Sequence, residues 1–217
     1  MRAGALLALA VCALAGAPAG ASAQGTWLSG WGGFFMDPGT VRDGESNTRW
    51  DFGTSPVFGV TLLREIGGLT AGVEVGYSPL KHEVRDLTTD LLVPGGDGRA
   101  HLLSTMAVGR LGGGGAGFFT YLAGGIGALT YGIPVLDRWD SDVALRAGGG
   151  VEYRGGGQWS LFVEWNRWWT FHQSEGVDDN TIRHNHLEIG AHFGQASSRV
   201  RAHRSEIGDR HLPHCRR

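Results

Sequence analysis

The chain has 217 residues, with 19 Lys and Arg against 21 Asp and Glu, for a formal net charge of −2. That length suits one domain with a tail, and the charge excludes a typical nucleic-acid binder. The 38 glycines, set beside 7 prolines and no fixed period, exclude a collagen-like repeat.

In chain order, residues 1–23 read as a cleaved signal peptide. Arg2 gives a positive start, residues 6–15 form a short apolar run, and Ala21, Ser22 and Ala23 form a small-residue cleavage site. Cys12 leaves with that segment, so Cys215 has no intrachain disulfide partner. No later segment approaches 18 consecutive apolar residues, so no membrane-spanning helix is expected.

From Thr26 to Phe193 the sequence alternates with period 2, predicting eight strands. They fall at about 26–36, 55–65, 69–78, 100–110, 118–131, 142–153, 159–171 and 184–193. In "LTAGVEVGYS", Leu69, Ala71, Val73, Val75 and Tyr77 share one face, opposite Thr70, Gly72, Glu74, Gly76 and Ser78. In "DVALRAGGGVEY", Val143, Leu145, Ala147, Val151 and Tyr153 oppose Ala144, Arg146, Gly148, Gly150 and Glu152. In "WSLFVEWNRWWTF", Trp159, Leu161, Val163, Trp165 and Trp169 oppose Ser160, Phe162, Glu164, Asn166 and Trp168. In "HNHLEIGAHF", Leu187, Ile189, Ala191 and Phe193 oppose His184, His186, Glu188, Gly190 and His192. The faces of 118–131 stay undecided.

Three connections are short and glycine-rich: "EIGG", "LGGGGAG" and "RGGGQ". Four are long and acidic, at about 37–54, 79–99, 132–141 and 172–182. This alternation predicts an all-β, eight-stranded antiparallel up-and-down barrel over 24–193 with both ends on one side. Residues 194–217 lose the pattern. They carry Arg199, Arg201, Arg204, Arg210, Arg216 and Arg217, and read as a basic, disordered tail.

The non-apolar face decides which side is inside. It is mostly Gly, Ala, Ser and Thr with about one charge per strand, too small and uncharged for a solvated exterior. It suits the narrow interior of an eight-stranded barrel. The apolar face then meets lipid, where no strand edge can stay open. On the residues "AGVEVGY", "RAGGGVEYR", "LFVEWNRW" and "HLEIGAHF", the chain resembles the small outer-membrane β-barrel proteins of Gram-negative-type bacteria. These are the eight-stranded group of the outer membrane protein A transmembrane domain and the opacity-type proteins. The resemblance spans about 25–193.

It implies an outer-membrane location and a non-enzymatic structural or surface role. It also implies contact with outer-membrane lipids and lipopolysaccharide, and insertion by the outer-membrane assembly machinery. A monomer is expected, with no cofactor and no nucleic-acid partner. In such proteins the last strand normally ends the chain at an aromatic residue. Here Phe193 holds that place and 24 residues follow.

Glu74, Arg146, Glu152, Glu164 and Glu188, joined by Arg110, are expected to form a lumen charge network that plugs the barrel. A narrow gated pore is the competing reading. Trp27, Trp31, Tyr77, Trp159, Trp165, Trp169 and Phe193 are expected at the membrane interfaces. Arg167 shares the lipid-facing parity and should snorkel near the outer rim. His184, His186 and His192 share a face, but no clear carboxylate or Cys spacing makes them a metal site, and polar lumen filling fits them better. No twelve-residue calcium-loop pattern accompanies the acidic loops. "HQS" at 172–174 is similar to the His-x-Ser of lipid A deacylases, which would make His172 a base, Ser174 a nucleophile and Glu188 the orienting acid. A polar segment at the strand exit accounts for the same residues.

Overall fold

The computed structural model describes residues 25–36, 39–44, 46–66, 69–114, 117–133, 138–155, 158–171 and 181–194. The expected signal peptide and nearly all of the basic tail lie outside these residues. So do His172 and Ser174.

Ten strands follow one another: β1 (Thr26–Met36), β2 (Thr40–Asp43), β3 (Thr48–Phe52), β4 (Ser55–Ile66), β5 (Leu69–Asp86), β6 (Leu92–Gly114), β7 (Phe118–Ile133), β8 (Arg138–Arg154), β9 (Trp159–Phe171) and β10 (Thr181–Gly194). Eight of them, β1 and β4 to β10, pair with their neighbours in antiparallel order. β10 returns to β1, from Trp27↔Gly194 to Met36↔Asn185, and β5 pairs with β6. The sheet is therefore a closed eight-stranded up-and-down barrel. Closure satisfies the backbone groups that an open sheet would expose. Gly194 is the last paired residue, so the strand runs one residue into the segment expected as tail.

Two expected loops are strand instead. β5 continues eight residues past Ser78, and β6 starts at Leu92 rather than near 100. β3 lies beside the extension of β5, from Thr48↔Asp86 to Phe52↔His82, and β2 pairs with β3. These segments form a ribbon above the barrel. Arg49 spans Asp51 at 3.0 Å and Asp90 at 2.9 Å, and Arg85 meets Glu83 at 2.9 Å. Asp51, Glu83, Asp86 and Asp97 are thus ladder partners rather than loop filler. The ribbon turns where the Asp86 carboxylate accepts from the Thr88 and Thr89 backbone N–H groups at 2.9 and 2.8 Å. Those donors hold the Asp86 carboxyl below its usual range.

Burial is inverted relative to a soluble protein. Leu28, Phe58, Leu122, Ile126, Val151, Leu161 and Ile189 stand exposed on the outside, while Glu74, Arg146, Glu164 and Glu188 are buried within. The undecided strand is settled: Tyr121, Ala123 and Leu129 of β7 point inward, and Phe118, Leu122 and Ile126 point outward. Outward positions of β9 run from Trp159 to Phe171, 13 residues. At about 3.3 Å per residue and a tilt near 40° this is a band roughly 30 Å tall, enough to cover an apolar belt of about 25 Å.

Candidate functional site: the polar core of the barrel

Two facing strands create the central problem of the lumen. Glu188 of β10 is the direct register partner of Glu164 of β9. Like charges opposite one another destabilise a ladder unless a cation stands between them. Arg146, from β8, supplies it. Its guanidinium lies 3.5 Å from Glu164, 3.3 Å from Glu188, and 2.6 Å from Glu74 across the lumen on β5. Nη1 and Nη2 both donate to the Glu74 carboxylate. Arg110 of β6 closes on Glu164 from below at 2.7 Å.

Neutral donors complete the cluster. Tyr121 Oη donates to Glu164 at 2.9 Å, Asn166 Nδ2 to Glu164 at 2.7 Å, and Thr61 Oγ1 to Glu74 at 3.1 Å. Three carboxylates share two guanidiniums here, and His186 Nδ1 lies 3.0 Å from Glu188. Aromatic rings sandwich the cations. Arg110 sits over Tyr121 and Phe162 at 4.9 and 5.0 Å, and Arg146 over Trp168 at 5.7 Å.

Glu152 was expected in the same network but stands apart from it. It lies near the short-turn end, accepting from Ser160 Oγ at 2.5 Å and pairing with Arg154 at 3.0 Å. The histidines of β10 take separate places. His192 meets Ser29 and Arg110, His186 stacks on Phe35 at 4.7 Å, and His184 stacks on Trp168 at 5.6 Å. No group of three or more metal-ligating side chains occurs among the described residues. Above this layer a cavity of about 20 Å³ is lined by Phe35, Leu80, Leu102, Tyr131 and His184, room for about one water.

Two aromatics expected at the membrane interfaces point inward instead, and a third, Trp165, stands midway along the outward face. Trp31 is 6% exposed and lies inside the lumen, where its Nε1 donates to Thr61 at 3.0 Å. Trp27, also inward, packs partly buried against the same core. The cause is a bed of paired glycines, Gly59↔Gly76, which leaves the Trp31 indole room that any β-carbon would take. The other aromatics face outward. Trp159 and Phe193 pair at the short-turn end, Tyr77 stacks on His101 toward the other end, and Trp165 stands midway along β9. Trp169 is half-buried on the same outward face. Tyr153 and Phe118, rings 5.3 Å apart, extend the lower rim. Their parity and their closeness to glycine turns were the signal for them.

Glu188 also bears on the His172/Ser174 reading. It is buried in the lumen, seven register steps from the Thr181↔Phe171 pair that ends the β9–β10 ladder. That is roughly 23 Å along the strand at 3.3 Å per residue, and His172 and Ser174 themselves lie outside the described residues.

No protein-family model matches the chain, and no curated protein matches it. Solved structures do. Neisserial surface protein A (NspA) is similar over 78% of this chain and 96% of its own, at 12% identity and a TM-score of 0.55. The N-terminal β-barrel domain of Pseudomonas aeruginosa OprF aligns over 79% and 97%, at 13% identity and a TM-score of 0.42. Ail, the attachment invasion locus protein of Yersinia pestis, aligns over 80% and 99%, at 12% identity and a TM-score of 0.40. The first likeness is one of fold: the chain has the closed eight-stranded architecture of a small outer-membrane β-barrel.

Proposed function

We propose that this protein is an exported, non-enzymatic outer-membrane barrel with a structural or surface-interaction role, its lumen sealed by the Arg146-centred charge cluster. The inverted burial carries this reading. A sheet that exposes Leu, Ile, Phe and Trp while enclosing four Glu and two Arg is stable only where the surroundings are apolar. The seal is favoured over a gated pore because the charges are cross-linked from five strands and flanked by packed rings. Lipid and lipopolysaccharide surround the barrel, the assembly machinery inserts it, and it acts as a monomer. The ribbon of β2, β3 and the ends of β5 and β6 is the surface offered to the exterior.

Cell fractionation with a gel-mobility assay tests the proposal. The folded protein should partition with outer membranes and migrate differently before and after boiling. A protein that stays soluble without detergent and shows no mobility shift would end the membrane reading.

A further inference from the structure

We propose that Arg167 and Arg183 form a binding site for a phosphorylated lipid headgroup on the outside of the barrel, at its outer rim. The inference rests on the membrane-barrel reading and adds to it a specific ligand and place. Both arginines face outward on adjacent strands: Arg167 pairs with Asn185, and Arg183 with Trp169. They are therefore diagonal neighbours, about 7 to 8 Å apart at the backbone, a span that one phosphate group can bridge. Arg167 Nη1 donates to Asn185 Oδ1 at 3.2 Å, which fixes the guanidinium and leaves its other donors outward. Among the described residues no carboxylate forms an ion pair with either arginine, whereas Arg49, Arg85, Arg110, Arg146 and Arg154 all do.

Depth places the pair at a headgroup. Trp159 and Phe193 are register partners at the lower rim, and Arg167 and Arg183 lie eight and ten residues above them. These offsets correspond to roughly 20 and 25 Å along the barrel axis, the upper border of an apolar band of about 25 Å. Two cations at that depth, with no carboxylate partner among the described residues, call for anionic ones. The surface below them favours a lipid over free phosphate. Leu187 and Ile189 lie directly beneath and are exposed. On β1, the exposed Phe34 stands beside Leu187, and below it Gly32 and Gly30, beside Ile189 and Ala191, present no side chain; a β-carbon at Gly30 would meet nothing within 4 Å. Together these residues make an apolar surface, lowered at the glycines, against which an acyl chain can lie.

Native mass spectrometry of the detergent-solubilised protein tests this, with a bis-phosphorylated glycolipid and its dephosphorylated form as probes. The wild type should retain the phosphorylated lipid and discriminate against the other. Arg167→Gln with Arg183→Gln should lower its occupancy about tenfold or more, and the Lys pair should recover part of it. Equal retention by the Gln variant, or by the dephosphorylated probe, would overturn the site. Inorganic phosphate should not compete at millimolar concentration; full competition would overturn the lipid as occupant. The boiling-dependent gel shift is read on every variant. Loss of lipid with the shift intact supports the site, and absence of the shift in the wild type counts against the barrel reading instead.

Discussion

A methyl group at Gly59 would press on the Trp31 indole and stand 2.6 Å from the Val75 carbonyl oxygen. Gly59→Ala should therefore destabilise the barrel by about 1 to 3 kcal/mol, measured as a lower urea midpoint in micelles. If the midpoint is unchanged, the indole does not lie on that bed. Removing Arg146 is costlier, because Glu74, Glu164 and Glu188 lose their shared cation. Arg146→Ala should cost on the order of 3 to 5 kcal/mol, and a change under about 1 would mean that the carboxylates do not depend on it. Outside the belt, His82 is covered by the Trp50 ring at 5.4 Å. Burial lowers its pKa more than Asp97 raises it. The unfolded ribbon then binds more protons than the folded one, so its stability is full above the ordinary histidine value of about 6.5 and falls as pH drops through the folded value. Hydrogen-exchange protection at residues 82–86, taken relative to the intrinsic exchange rate at each pH, should fall on acidification, and His82→Phe should flatten that dependence. Much of this residue-level picture was legible. One charge per strand on the small-residue face pointed to the lumen, and Glu164 does meet Arg146. Trp31 was misread because aromatic content alone does not reveal a cavity formed by two glycines 17 residues apart.

Among the elements, the bounds expected for β1 and β9 match the strands found, although alternation along β1 is not clean and did not reveal which way Trp27 and Trp31 point. The ribbon was not. Above the apolar belt, alternation no longer separates apolar from polar, so charged ladder positions look like loop. Pro79, Gly95 and Gly96 add breaker signals inside strands that nevertheless pair. β7 was ambiguous because Gly124, Gly125 and Gly127 give both faces the same character. The β2–β3 hairpin pairs with the barrel at β5 and packs Phe52 against its core, while Phe35 of β1 already pairs with Ser55 of β4. Replacing residues 37–54 with a short Gly-Ser turn should therefore leave the boiling-dependent gel shift intact. A variant that no longer folds would show that the hairpin is part of the barrel's stability.

At the scale of the whole molecule, a plugged lumen predicts silence in planar bilayers across salt conditions. Resolved single-channel steps from the wild type would favour the pore reading. The fold class was legible in the sequence because it depends on a repeated contrast and on alternating connection lengths, both of which survive many local ambiguities. The pairing of particular charges was not, because it depends on which strands face across the lumen.

The seam between β1 and β10 joins residues such as Trp27 and Gly194, which lie at opposite ends of the barrel sequence. No partial chain can satisfy both of those edges. A polypeptide interrupted before residue 181 would present two raw strands to lipid or to its neighbours. Completeness of synthesis is thus checked by geometry itself: only a finished chain has a surface without a free hydrogen-bonding border, and an unfinished one remains exposed to aggregation and proteolysis.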